Sequence, residues 1–532
     1  MTLNGVEVLE TVLRDGAQSR DVNIGSVKDA LKIVKLIDGL GYADIIEAGF
    51  AGSHTMHDEI IKEAAQMDLH ARVAAFGRTR APNTNVDDFA RNPAIKNLLE
   101  VNTPVVVIVY KSWDYQVPTV GAGLEENLRM LDDTIRFFAE QGKYVIADAE
   151  FATGAFLGKP QKNVPPNLDY LLQTLRTAKN AGAKSVVLCD TTGILLPQHV
   201  GPLINAASGA IGNSHVGFHG HNDHGVGDAN NYLAMLAGAT HVQTSFLGHG
   251  ERTGNINGAN MLGLLSSPYQ ANVLEFDLAR LKNVSEVVHL LLTGQRLPGN
   301  TPFIGRNAFT HKGGMHADGN GKLEGAYNGR DPEEFGNQEH YPITRQSGRA
   351  HVAQILGVSK KDPWVGRVFN KSMKLLDEGY QLDQYPEFFR LVAERQRGDY
   401  APPFRILAEE LTESTIDGRV TDKAIIKVVV NNIEYPIEAS GAGLVDATMK
   451  PLEEVLRKHY DFPKFDFRYG VKGTHGAGSS QDVLAEVHIM TNGNGMVTYT
   501  MPGVSPSVIQ ASIKAITAGM EYMIMQSGIN HK

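Results

Sequence analysis

Regular alternation is what most constrains this chain. Through its first half, short strand-like runs are separated by longer amphipathic ones. Val6–Asp15, Ala43–Phe50, Ala71–Phe76, Val105–Tyr110, Lys143–Glu150, Ser185–Asp190, His215–Asn222 and His241–Leu247 read as β-strands. Ser26–Leu40, Leu124–Gln141 and Leu168–Asn180 carry apolar residues at helical spacing. Gly41, Gly142, Gly182 and Gly238 stand where such helices must stop, because glycine readily takes the left-handed conformation that closes them. Eight strands joined by crossovers that can each hold a helix predict a parallel sheet closed into a (β/α)8 TIM barrel. The alternative is an open, doubly wound sheet. It is the weaker reading, since no glycine-rich nucleotide loop follows the first strand.

Polar residues gather at one end of these strands. Arg14 and Asp15, Glu47, Glu150, Asp190 and Thr191, His219 and His221, then 248–255 all fall at C-terminal ends, the face where barrels carry their chemistry. His219-Gly-His221 is the sharpest element. Two imidazoles two residues apart leave one strand on the same face. In a closed barrel the first and eighth strands are neighbours and the seventh is one further on, so Asp15 can converge on the pair. Asn255 can add an amide oxygen. An isolated histidine pair is more often structural, but carboxylate and imidazole donors with open positions suit Mg2+, Mn2+, Zn2+ or Fe2+. Arg14 would then stabilise an oxyanion forming on a substrate carbonyl; its bland role is an ion pair with Glu47 or Glu251. Glu150 is read as orienting a base or reaching the substrate, against a salt-bridge role. Thr191 is read as hydrogen-bonding a substrate carboxylate, against capping the next turn.

Composition narrows the class. At 532 residues the chain needs two or three domains. A net charge of −9 with no basic stripe argues against nucleic acid. Cys189 is the only cysteine, so no intrachain disulfide forms, which suits a reducing compartment. Neither a signal-like start nor a run long enough to span a membrane is seen, and a cytoplasmic location is expected.

The expected division is a catalytic barrel over 1–275, helical linker subdomains over 276–400 that cover the active site, and a C-terminal α+β domain over 401–532. The linker contains the glycine- and histidine-rich stretch Phe309–Gly319, and the last boundary falls near Gly398–Pro403. Beyond it Ala424–Val430 and Glu434–Ala439 read as strands and Asp446–His459 as a helix. Asp466–Lys472, Leu484–Met490 and Met496–Met501 follow as strands, then Ser505–Met525 as a helix. Two strands-then-helix units suggest an internal duplication.

The motifs Leu13-Arg14-Asp15-Gly16-Ala17-Gln18, His219-Gly220-His221-Asn222-Asp223 and Gly248-His249-Gly250-Glu251-Arg252-Thr253-Gly254-Asn255 occur in this order. Their conjunction resembles the metal-dependent Claisen-condensing enzymes, the 2-isopropylmalate, homocitrate and citramalate synthases, over nearly the whole chain. The segments 75–80, Thr103–Val106, Lys111–Asp114, 124–128, Asp148–Glu150 and 308–314 are most similar to the long-form citramalate synthase branch, and Ala439–Ala447 is similar to the family's regulatory domain. The resemblance implies acetyl-CoA as cosubstrate, a 2-oxo acid as acceptor and a divalent metal. It implies Asp15, His219, His221 and Asn255 around the metal, and Arg14, Gln18, Glu47 and Thr191 toward substrate. It also implies proton transfer by His316 with Glu150, a tyrosine role for Tyr327, an amino-acid effector at the last domain, and a homodimer in which His316 acts across subunits. On the residues alone His316 reads as a structural or surface histidine.

Three departures bear on the 2-oxo acid pocket, one of them an altered stretch over Ala155–Pro166. Ala30 takes the place of the family's usual lysine, and Phe151-Ala152-Thr153-Gly154 replaces its His-Phe-Phe-Asp-Gly run after Glu150. A pocket separates acids differing by one methylene by only about 1–3 kcal/mol, so 2-isopropylmalate synthase stays as an alternative. A carbon–carbon lyase on a related barrel and an inactive metabolite sensor are the remaining rivals. The regulatory-like module disfavours the first and the intact polar set disfavours the second.

Overall fold

The structure, a computed structural model, describes residues 5–268, 277–311, 316, 319–320, 322–323, 325–416, 419–441, 444–473, 482–491 and 498–528. Parts of three expected features lie outside these residues: much of the 309–319 stretch, 442–443 within Ala439–Ala447, and the start of the Met496–Met501 strand. The chain divides into two compact units. The first holds Met1–Thr293 with the short returns Pro302–Ile304 and Glu334–Gly336; the second holds the remainder.

The first unit is a closed eight-stranded barrel of β1 (Glu7–Glu10), β2 (Ile45–Phe50), β3 (Arg72–Arg78), β4 (Val105–Lys111), β5 (Tyr144–Glu150), β6 (Ser185–Asp190), β7 (Val216–Gly220) and β8 (His241–Thr244), with β1 pairing β8 in parallel. Helices form where the sequence gives both periodicity and a cap. The Val27–Asp38 helix starts where Ser26 Oγ accepts from Asp29 N at 3.1 Å, and buries Ile33, Val34 and Ile37. All four glycines expected at helix ends have positive φ, from +69° at Gly41 to +111° at Gly182.

Inside the barrel, alternation stacks two layers. Leu9, Ile45, Ala74, Val105, Ile146 and Val187 fill an apolar layer. Two residues on, Glu47, Asp148, Cys189, His219 and Gln243 form a polar layer toward the C-terminal end, with Cys189 opposite His219 and His219 opposite Gln243. The apolar layer is the floor on which the polar one rests.

Strands β1, β7 and β8 end earlier than expected, β8 at Thr244 rather than Leu247, and the first two shape the site. β1 ends at Glu10 rather than Asp15, because Thr11 O accepts from the amides of Arg14, Asp15 and Gly16 (3.1, 2.9 and 3.2 Å) and turns the chain. β7 ends at Gly220, so His221 lies just past it, bridged to Asn255. Both metal-site segments therefore sit on turns above the barrel rim.

In the second unit, helices at Arg349–Leu356, Pro363–Asp377 and Pro386–Glu394 precede two three-stranded antiparallel sheets. The first is β9 (Phe404–Ile416), β10 (Arg419–Val430) and β11 (Ile433–Gly441), followed by the Leu444–Arg457 helix. The second is β12 (Phe465–Gly473), β13 (Val483–Thr491) and β14 (Thr498–Ser505), followed by the Val508–Gln526 helix. The expected duplication is thus three strands and a helix, twice, with β9 the strand that sequence reading omitted.

Candidate metal centre

Asp15, His219 and His221 are all buried, and each offers a ligand atom within 4.8 Å of the others. His219 Nε2 lies 3.2 Å from Asp15 Oδ2 and 3.4 Å from His221 Nε2. Asn255 joins them, its Nδ2 donating to Asp15 Oδ2 at 2.8 Å and lying 3.5 Å from His219 Nε2. The amide oxygen expected as a ligand is thus turned away; Asn255 Oδ1 is buried and has no hydrogen-bond partner, like His221 Nδ1. Buried polar atoms are rarely left so. One carboxylate, two facing imidazole nitrogens and an amide that can turn its unpartnered oxygen inward fit a divalent cation.

Electrostatics support the same donor set. Burial opposes ionisation of Asp15, but the Arg14 charge and the His219 hydrogen bond outweigh it and hold the carboxyl well below its usual range. Burial, with His219 alongside, pushes His221 down to about 4, which keeps its ring neutral and able to coordinate.

Arg14 is locked in place. Its Nε donates to Glu47 Oε2 at 2.7 Å, Nη1 lies 3.4 Å from Asp15, and the guanidinium stacks over Phe76 at 4.1 Å. Glu47 is fully buried and also accepts from Thr11 Oγ1 at 2.5 Å, so it stands behind Arg14. The ion pair with Glu47, the bland role expected of Arg14, is present. Gln18 is exposed and is not drawn into the cluster. Thr191 Oγ1 accepts from Phe151 N at 2.9 Å, leaving the hydroxyl hydrogen available.

Glu150 shares a face of β5 with Asp148 and is ion-paired with Lys111 at 2.5 Å, so the salt-bridge role is present. It lines a cavity of about 420 Å³ with Arg78, Tyr110 and Lys111. In the second unit His316 is exposed and stacks on Tyr327, ring centroids 4.3 Å apart.

Three participants went unnoticed in the sequence. Gln243 hydrogen-bonds His219, which it faces through the β7–β8 register. Lys111 ends β4 opposite Glu150. Arg252 clamps Asp223 through Nε and Nη2 (2.8 and 2.9 Å) and donates to Thr191 O at 2.9 Å, tying three loops together.

The HMGL-like family model matches residues 5–288, more than half of the chain. The chain belongs to the HMGL-like family. Further along, the homocitrate synthase post-HMGL domain-like model matches 303–379, and the LeuA allosteric (dimerisation) domain matches 386–524. Among HMGL-like relatives the chain is 32% identical to the (R)-citramalate synthase of Sulfolobus acidocaldarius, covering 98% of each chain. It is 31% identical to that of Synechocystis, over 96% of this chain and 95% of the other. A probable 2-isopropylmalate synthase of Archaeoglobus fulgidus is 26% identical, over 98% and 97%. The long-form citramalate synthase resemblance is thereby borne out. Among the described residues no helix is long and apolar enough to cross a membrane.

Proposed function

We propose that this protein is a divalent-metal-dependent citramalate synthase that joins acetyl-CoA to pyruvate and hydrolyses the thioester to citramalate and CoA. The observation that carries this reading is the buried convergence of Asp15, His219 and His221 beside a locked Arg14, in a chain similar from end to end to citramalate synthases.

Asp15, His219 and His221 would hold the ion, with the Asn255 amide oxygen completing the set, and it would supply Lewis acidity to the 2-oxo acid. The remaining work falls to side chains. Thr191 donates its hydroxyl hydrogen to the acid's carboxylate, and Gln18 assists at the rim. His316, paired with Glu150, takes a proton from the acetyl methyl, and the resulting enolate carbon bonds to the keto carbon. Arg14, held by Glu47, stabilises the alkoxide that forms, and Tyr327 returns a proton to it. Water then cleaves the thioester, releasing the thiol and a second carboxylate.

In this reading 1–275 is the catalytic barrel, 276–400 the linker that delivers His316, and 401–532 a dimerisation domain answering to an amino acid. Isoleucine is the effector proposed, as the end product to which citramalate leads. The enzyme acts in the cytoplasm as a homodimer.

The test is thiol release by metal-supplied protein with acetyl-CoA and a panel of 2-oxo acids. Preference for pyruvate is expected. Preference for 2-oxoisovalerate would move the protein to 2-isopropylmalate synthase, and no release with any acid would sink the synthase reading.

A further inference from the structure

His219 is clamped from behind, whereas His221 is not. Gln243 Oε1 lies 2.7 Å from His219 Nδ1, and Gln243 Nε2 donates to Asp148 Oδ1 at 2.8 Å. Gln243 and Asp148 are 1% and 3% exposed, so water does not compete for either bond. Register makes the alignment unavoidable: His219 and Gln243 are direct partners on β7 and β8, and both point inward. His221 Nδ1, by contrast, is buried with no partner.

An amide has two faces of opposite sense, an acceptor oxygen and a donor nitrogen. If the Gln243 amide were turned over, its oxygen would face the Asp148 carboxylate oxygen and that bond would be lost, while its nitrogen would face His219 Nδ1 as a donor. Asp148 therefore holds the amide with its oxygen toward His219. A ring nitrogen facing a carbonyl oxygen at 2.7 Å must carry the hydrogen. When a cation displaces the hydrogen that Nε2 directs at Asp15, Nε2 carries the lone pair, and it is the atom that faces Asp15 and His221.

We propose that Gln243 is a positioning residue that sets the tautomer of His219 for metal binding, and that Asp148 sets the orientation of Gln243. The relay makes His219 the fixed ligand and leaves His221 the adaptable one. The inference rests on the metal-site reading above. It assigns a purpose to two buried polar residues that have no other role in the proposed chemistry.

Two measurements test it on the full-length protein. The first is Mn2+ affinity, read from the free-ion electron paramagnetic resonance signal. Gln243→Leu should weaken binding by about 10- to 100-fold, the usual effect of removing a partner of a ligating histidine. Asp148→Leu, which frees the amide to turn, should weaken it less. Unchanged affinity in Gln243→Leu beside a binding wild type would overturn the proposal, while failure of the wild type to bind would instead reject the metal site itself. The second uses 15N-histidine spectra of the wild type loaded with diamagnetic Zn2+, and needs no variant to fold. His219 should keep its hydrogen on Nδ1 and bind the ion through Nε2. Binding through Nδ1, or a mixture of the two modes, would overturn the proposal.

Discussion

The two ends of the chain both bury charged and polar groups, and they treat them differently. Among the described residues of the tandem sheet module the buried charged side chains have partners, and Thr498 Oγ1 is an isolated buried atom without one. Glu486 accepts from Tyr385 at 2.7 Å and pairs with Lys472; Glu521 accepts from Arg395 Nε and Nη2 at 2.9 and 2.6 Å and from Tyr400 at 2.7 Å; His488 meets Thr500 at 3.0 Å. Around them the core is apolar, with Val428, Leu452, Val487, Ile516 and Met520 among its buried members. At the barrel mouth the polar groups converge instead, and Asn255 Oδ1, His221 Nδ1 and Glu47 Oε1 are buried without partners. Burial alone therefore does not mark a site. Convergence together with incomplete satisfaction does, because such atoms are costly to the fold unless a ligand meets them.

The contrast can be broken most sharply at His219. His219→Ala should lower turnover by about a thousandfold, the scale of several kcal/mol of lost Lewis-acid assistance. Metal content should fall with it while the melting temperature changes little. Normal turnover would show that the convergence is structural after all.

A satisfied carboxylate within the barrel gives the next effect. Glu10 accepts from Val12 N, Phe246 N and Thr244 Oγ1 (2.9, 2.7 and 2.9 Å) and from Tyr42, yet burial outweighs these bonds and raises its carboxyl to about 7. The folded state thus holds this proton more tightly than the unfolded chain does. The stability it contributes is fully present below pH 4.5 and is lost as pH rises through 7, about 3 kcal/mol in all. Melting temperatures of wild type and Glu10→Gln should converge or cross over this window; parallel curves would show that Glu10 keeps an ordinary pKa.

The smallest effect belongs to the module. Glu521→Ala removes the partner of Arg395. Because Arg395 is about one-third exposed, the loss of stability should be about 2 kcal/mol rather than the larger penalty of a fully buried pair. Denaturant unfolding measures it. Thiol release at saturating substrate should be unaltered, and a proportionate fall would erase the distinction between the two regions.

What the sequence made legible follows the physics of each region. Barrel strands buried on both faces are apolar runs ended by glycine and polar residues, so all eight were recognisable, with Ser185–Asp190 identical in sequence and structure. β9 was not, because Ala408-Glu409-Glu410-Leu411-Thr412-Glu413 in its middle carries no apolar alternation. At the site, residues within a motif could be read: Arg14, Asp15, His219, His221 and Asn255. Lys111 and Gln243 could not, because each matters through a neighbour on the adjacent strand, and pairing across strands is a property of register. The strand ends at Glu10 and Gly220 were also hidden. They depend on Thr11 and Asn255, which turn the backbone without any change of composition.

Cys189 deserves a practical word. It is buried on β6 opposite His219, and burial, reinforced by Asp148, pushes its thiol well above the usual range. It is also the only cysteine of the chain. A thiol-reactive dye added to the native protein will therefore meet no competing sulfur from the enzyme, and a continuous colorimetric record of the reaction counts substrate turnover alone.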